Sequence, residues 1–75
     1  MSIDLTVGAR IRALRHDRGL SLETVSARSG LSIGFVSQVE RGLSSPSLKV
    51  LTAIGDVLGV GLAGLFGPAP AEGGE

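Results

Sequence analysis

Apolar residues recur at intervals of three and four along most of the chain, which is the spacing that places side chains on one face of an α-helix. The first run consists of four aliphatic residues at such intervals: Ile3, Val7, Ile11 and Leu14. It predicts a helix over residues 4–18 that begins after an N-cap at Asp4 and ends at Gly19.

Three more helices are predicted, each directly after a serine whose side chain can cap the helix N-terminus. They cover residues 22–28, 33–41 and 48–58, behind Ser21, Ser32 and Ser47. Their inward-facing residues are expected to be Val25, Val36, Val39, Leu48, Leu51, Ile54 and Leu58, with Phe35 partly buried. A last turn over residues 62–66 is glycine-rich and should be the weakest element.

No segment alternates between apolar and polar residues with a period of two, so no sheet is expected. The predicted fold is therefore all-α, a compact bundle of four to five short helices. Residues 1–66 form the predicted domain, whereas residues 67–75, GPAPAEGGE, are expected to be a disordered tail or linker. The 75-residue chain contains no cysteine, so helix packing has to hold the domain without disulfides.

The second and third predicted helices are joined by a very short connection that contains Gly30. A glycine can adopt the positive φ that a tight turn between helices needs, and Ser26 is small enough for the place where the two helices meet. Two short helices in this arrangement are typical of a helix-turn-helix motif, in which the second helix is free to contact a partner.

Residues 7–66 resemble the lambda repressor-like, XRE-type DNA-binding domain. The motifs that carry the resemblance are RIRALRHDRGLSLE, GLSIGFVSQVERG, SPSLKVL and LGVGLAGLF, in that order. The resemblance implies a transcriptional regulator that inserts its third helix into the major groove of double-stranded DNA, as a homodimer on the DNA. The run SQVERGLSSPS is similar to regulators in which a cupin sensor follows this domain, and such a C-terminal sensor is absent from this chain.

The same resemblance implies roles for particular residues. The base-facing positions of the third helix are Ile33, Gly34, Ser37 and Gln38. The expected phosphate contacts are Arg10, Ser32, Arg41, Ser44, Ser45, Ser47 and Lys49. Arg15 and Glu40 match a structural ion pair between the first and third helices. Leu22 departs from the family pattern, because a glutamine is usual at this phosphate-contacting position.

The charge of the chain leaves a second function open. The formal net charge is zero, whereas DNA-binding domains are usually basic, although residues 1–67 hold seven basic and five acidic groups. The alternative is a helical protein–protein interaction module that does not bind DNA. No pattern of nucleophile, base or paired carboxylates indicates an enzyme, and no metal or other cofactor is expected. The sequence also predicts a cytoplasmic protein without a membrane span.

Overall fold

The computed structural model describes residues 3–66. Four α-helices follow one another, and a short 3₁₀ turn over Ala63–Leu65 comes last. The helices are α1 (Ile3–Asp17), α2 (Leu22–Ser29), α3 (Ile33–Glu40) and α4 (Leu48–Leu58). No strand occurs within residues 3–66, so the predicted all-α bundle is confirmed. The expectation for residues 67–75 lies outside the described residues.

The predicted serine caps are confirmed. In each case the serine hydroxyl oxygen accepts a hydrogen bond from the backbone N–H three residues later, at the start of α2, α3 and α4. The first helix is also confirmed, but its predicted N-cap is wrong, because α1 begins at Ile3 and Asp4 therefore lies inside its first turn. A carboxylate is also favourable there, because it faces the positive end of the helix dipole.

The hydrophobic core lies where α1, α3, α4 and the 3₁₀ turn meet. Its buried members are Val7, Ile11, Leu14, Val39, Leu51, Ile54, Leu58 and Leu65. Two predicted core residues are exposed instead: Ile3 and Leu48 retain 66% and 65% of their accessible surface. Each is the first residue of its helix, so the helical spacing continues to the edge of the bundle, where the core has already ended.

The backbones of α1 and α3 lie close together at Gly8. A Cβ atom built on Gly8 would lie 2.6 Å from the carbonyl oxygen of Glu40 and closer still to that of Val39. No side chain fits at such distances without moving backbone. The absence of a side chain at Gly8 therefore sets how closely α3 packs against α1.

An ion pair fixes the same two helices about two turns further along α1. The Arg15 guanidinium donates two hydrogen bonds to the Glu40 carboxylate, from Nε (2.6 Å) and from a terminal nitrogen (3.0 Å), and a third to the carbonyl oxygen of Leu20 (3.0 Å). Both residues are buried, as the expected ion pair requires. The hydrogen bond to Glu40 raises the pKa of Arg15 above its usual value; burial acts in the opposite direction and Coulomb attraction to Glu40 adds to the increase.

Replacement of Gly8 by alanine should destabilise the domain by about 1–3 kcal/mol, because the new methyl group forces α1 and α3 apart. Urea unfolding followed by circular dichroism measures this change. Gly34→Ala is the matched control, because nothing lies within 4 Å of a Cβ at that helical glycine. Alanine there should stabilise the fold by about 0.5–1 kcal/mol. Equal effects of the two substitutions would contradict the role assigned to Gly8.

The substitution Arg15→Met should lower the free energy of unfolding by about 3–5 kcal/mol, because it leaves the Glu40 carboxylate buried without its partner. The double variant Arg15→Met, Glu40→Leu should recover most of that loss. Arg18→Met is the control: its pairing with Asp17 is exposed, so the expected change is under about 1 kcal/mol. A loss at Arg15 no greater than that at Arg18 would show that the buried ion pair does not hold the two helices together.

Candidate nucleic-acid interface

The turn between α2 and α3 has the backbone geometry that the sequence predicts. Gly30 adopts a φ of 79°, and its N–H donates to the carbonyl oxygen of Ser26. The Ser26 hydroxyl donates in turn to the carbonyl oxygen of Leu31. The carbonyl oxygen and the hydroxyl of Ser26 thus both stabilise the turn. Helix α3 starts directly afterwards, with Ser32 as its N-cap. This turn sets the direction in which α3 leaves α2.

One face of α3 is buried and the opposite face is open. Val36, Val39 and Glu40 are buried, and Phe35 is partly buried as expected. Of the predicted base-facing residues, Ile33, Gly34 and Gln38 are exposed, while Ser37 is half-buried. The Gln38 side chain is exposed although Ser44 contacts it. The predicted base-facing residues therefore lie on the side of α3 away from the core.

Four of the predicted phosphate-contacting residues are exposed at or near the ends of α3 and α4. Ser32 is the N-cap of α3 and Ser47 the N-cap of α4, and both are exposed. Arg41 follows the last residue of α3, is exposed, and donates from Nε to the carbonyl oxygen of Ser37 at 3.4 Å. Lys49 is exposed in the first turn of α4. Ser32 and Arg41 thus lie at the two ends of α3, and Ser47 and Lys49 lie at the start of α4.

Three predicted phosphate contacts have other partners in the structure. Nε of Arg10 donates to the carbonyl oxygen of Gly64 at 2.7 Å, so this guanidinium ties α1 to the 3₁₀ turn. The Ser45 hydroxyl donates to Oδ2 of Asp4 at 2.6 Å, and a carboxylate at that place repels phosphate. The Ser44 hydroxyl donates to Oε1 of Gln38 at 3.3 Å. Sequence reasoning could not foresee these contacts, because each joins residues whose proximity is set by the fold.

One cationic residue that is not among the predicted contacts lies close to these residues. Arg12 lines an open groove of about 380 Å³ together with Leu22, Ser37 and Arg41, above the Arg15–Glu40 pair. Arg12 precedes Arg15 by three positions, so both side chains lie on one face of α1. The predicted ion pair, which places that face against α3, is the signal that could have identified Arg12.

The described residues give no indication of other chemistry. Among residues 3–66, no three His, Cys, Asp or Glu side chains form a group that could hold a metal ion. None of the helices in that part of the chain has the length and apolar character needed to cross a bilayer.

Comparison with known proteins supports this description. Residues 6–65 match a family model described as a helix-turn-helix domain. The chain is 33% identical over 63 residues to the immunity repressor of Bacillus phage phi105, covering 84% of this chain and 44% of that protein. It is 37% identical over 68 residues to an HTH-type transcriptional regulator of Sinorhizobium fredii, y4dJ, covering 91% of this chain and 88% of that one.

The fold has a similar counterpart among solved structures. The restriction-modification controller protein C.AhdI from Aeromonas hydrophila superimposes with a TM-score of 0.81 at 36% sequence identity, covering 84% of this chain and 96% of that one. The family match spans all four helices and the 3₁₀ turn apart from the first three residues of α1. The chain therefore belongs to the helix-turn-helix domain family, as a lambda repressor-like domain of the XRE type.

Proposed function

We propose that this chain binds double-stranded DNA sequence-specifically through α3 and acts as a transcriptional regulator. The observation that carries the proposal is the exposed outer side of α3, where Gln38 is exposed and where Arg12 and Arg41 line a groove together with Ser37. An α-helix with its side chains is about 10–12 Å across, and the major groove of B-DNA is about 12 Å wide. An element of this size can enter the groove without any rearrangement of the bundle.

Base recognition would rest mainly on Gln38. A glutamine amide can accept from N6 of adenine and donate to N7, which distinguishes adenine from the other bases in the major groove. Ser37 can bond to either base type, and Ile33 can pack on a thymine methyl group. Gly34 presents no side chain, so its role would be close approach of the backbone to the DNA. Direct readout by this helix is thus limited to a few contacts.

Phosphate contacts would come from the edges of the same surface. Arg12, Arg41 and Lys49 supply positive charge, while Ser32 and Ser47 supply hydroxyl groups at the N-termini of α3 and α4. Such contacts position the domain on the duplex and carry no sequence information themselves. Residues 3–66 hold seven basic and five acidic groups, so an even charge balance of the whole chain does not prevent a locally positive binding face.

The assembly of the protein is part of the proposal. Because one short helix makes few base contacts, two copies on a near-palindromic site would double them, with half-sites about 34 Å apart. The chain spans less than half the length of the phage repressor that it resembles. A regulator of that size would have room for a sensor domain in addition to this one. As a DNA-binding protein it would act in the cytoplasm.

A protein–protein interaction module without DNA binding remains the alternative. Ile33 keeps 43% of its surface exposed on the outer face of α3, and the half-buried Leu22 lies where a polar residue would contact phosphate. Titration of the domain with mixed genomic DNA at low salt separates the two functions. DNA binding supports the regulator, whereas its absence in a folded, monomeric protein supports the interaction module.

The affinity for DNA should fall steeply with salt concentration, because bound cationic groups displace counterions from the duplex. Three phosphate-binding cations per domain predict a slope of log affinity against log salt of about −2.7. Arg41→Ala should reduce the steepness by about 0.9. Arg28→Ala is the control, since Arg28 is an exposed arginine near the end of α2 that is not among the proposed contacts. A wild-type slope near zero would rule out this binding mode.

The substitutions Gln38→Ala and Arg41→Ala should separate base recognition from phosphate binding. A preferred site is first selected from a random DNA pool, and affinities for that site and for random DNA are then compared. Gln38→Ala should weaken the preferred site by about 1–3 kcal/mol and leave random DNA nearly unchanged. Arg41→Ala should weaken both alike. If Gln38→Ala lowers the affinity for the preferred site and for random DNA equally, Gln38 does not recognise a base.

A further inference from the structure

We infer that Ser44, in the loop between α3 and α4, is a positioning residue that orients the Gln38 side chain for base recognition. The inference rests on the proposed function, in which Gln38 reads a base. Resemblance alone had placed Ser44 among the phosphate contacts. The structure gives it a different and more specific partner, because its hydroxyl donates to Oε1 of Gln38 at 3.3 Å.

The loop holds Gln38 at two points. After α3 ends at Glu40, Gly42 adopts a φ of 73° and the chain turns back toward the helix. The Leu43 N–H then donates to the Gln38 carbonyl oxygen at 2.9 Å. The next residue, Ser44, reaches the side chain of the same glutamine. The hydrogen bond from the Leu43 N–H fixes the position of the loop next to Gln38. The Ser44 hydroxyl is thereby placed within hydrogen-bonding distance of the Gln38 amide.

The loop itself is anchored to α1, so it can serve as a rigid support. A Cβ on Gly42 would lie 2.9 Å from Cα of Leu5, which means that the loop backbone packs directly on the first turns of α1. On the far side of Ser44, the Ser45 hydroxyl donates to the Asp4 carboxylate at 2.6 Å. Ser44 therefore sits between two attachments to α1, at Gly42 and at Ser45.

The polarity of the hydrogen bond matches what adenine recognition needs. The hydrogen bond from the Ser44 hydroxyl fixes which side of the Gln38 amide carries Oε1, and it uses one of the two lone pairs of that oxygen. The second lone pair can still accept from N6 of adenine, and both Nε2 protons stay available for N7. If the amide is rotated by about 180°, its NH₂ group faces the N6 amino group of adenine, and two donors cannot form a hydrogen bond with each other. The orientation of the Gln38 amide therefore decides whether adenine is recognised.

Holding the side chain in advance also favours binding. A free glutamine loses rotamer freedom when it settles against a base, and that loss opposes association. Ser44 restricts the amide before DNA arrives, so less freedom is lost on the specific site. On random DNA, where Gln38 finds no matching base edge, the same restriction brings no gain. Ser44 should consequently affect discrimination between sequences more than general affinity.

Four variants of the whole chain test this inference: Ser44→Ala, Ser44→Thr, Gln38→Ala and the double variant of Gln38→Ala with Ser44→Ala. Each is measured on the selected site and on random DNA at one salt concentration. Ser44→Ala should lower the ratio of the two affinities about three- to tenfold and change the affinity for random DNA less than about twofold. Ser44→Thr keeps the hydroxyl and should retain the wild-type ratio. In the Gln38→Ala background, Ser44→Ala should have no further effect on the ratio.

A second measurement follows the amide in the protein without DNA. In the ¹⁵N NMR spectrum, the Gln38 side-chain NH₂ should be more ordered on the nanosecond timescale in the wild type and in Ser44→Thr than in Ser44→Ala. Loss of order together with loss of discrimination supports the inference. If the wild type and Ser44→Ala show the same ratio of affinities for the selected site and for random DNA, the inference is overturned and the proposed function is left intact.

Two further outcomes separate the remaining explanations. Equal weakening of both DNAs by Ser44→Ala identifies a phosphate contact and overturns the positioning role. A wild type that does not bind duplex DNA overturns the proposed function, and the role of Ser44 in base recognition with it. In that case the NMR comparison still decides whether the loop orders the Gln38 amide.

Discussion

The contact between α1 and α3 is the constraint on which the binding surface depends. Gly8 allows the helix backbones to approach until a single methyl group would no longer fit, and the Arg15–Glu40 pair fixes their relative position further along. Because α3 has only eight residues, it has no independent stability and takes its position from these contacts. The turn at Gly30 gives α3 its starting direction, and α1 holds it there.

The elements of the fold could be predicted from sequence because their determinants are local. Each serine cap precedes its helix directly, and the glycines at positions 19, 30, 42 and 59 have the positive φ that ends a helix or turn. The predicted core failed only at Ile3 and Leu48. Helical periodicity gives the face on which a residue lies, but it does not tell how far along the helix neighbouring elements extend.

The candidate site was harder to predict, because its contacts join distant parts of the chain. The exposure of Gln38 followed from the helix pattern and the family resemblance. The partners of Arg10 and Ser45 are 54 and 41 positions away, and no local rule pairs them. Arg12 shows the opposite case: once Arg15 is assigned to Glu40, helix geometry brings Arg12 to the same groove. To predict the partners of Arg10 and Ser45, one would have to know which distant residues the fold brings together.

The hydrogen bond from Arg10 to Gly64 gives the C-terminal side of the domain a mechanical connection to the reading helix. Arg10 lies on α1 between Gly8 and Arg15, the two residues through which α1 holds α3. The 3₁₀ turn is thus fixed to the bundle both by this guanidinium and by the burial of Leu65 in the core, so the end of the described chain is joined to the helix that supports α3.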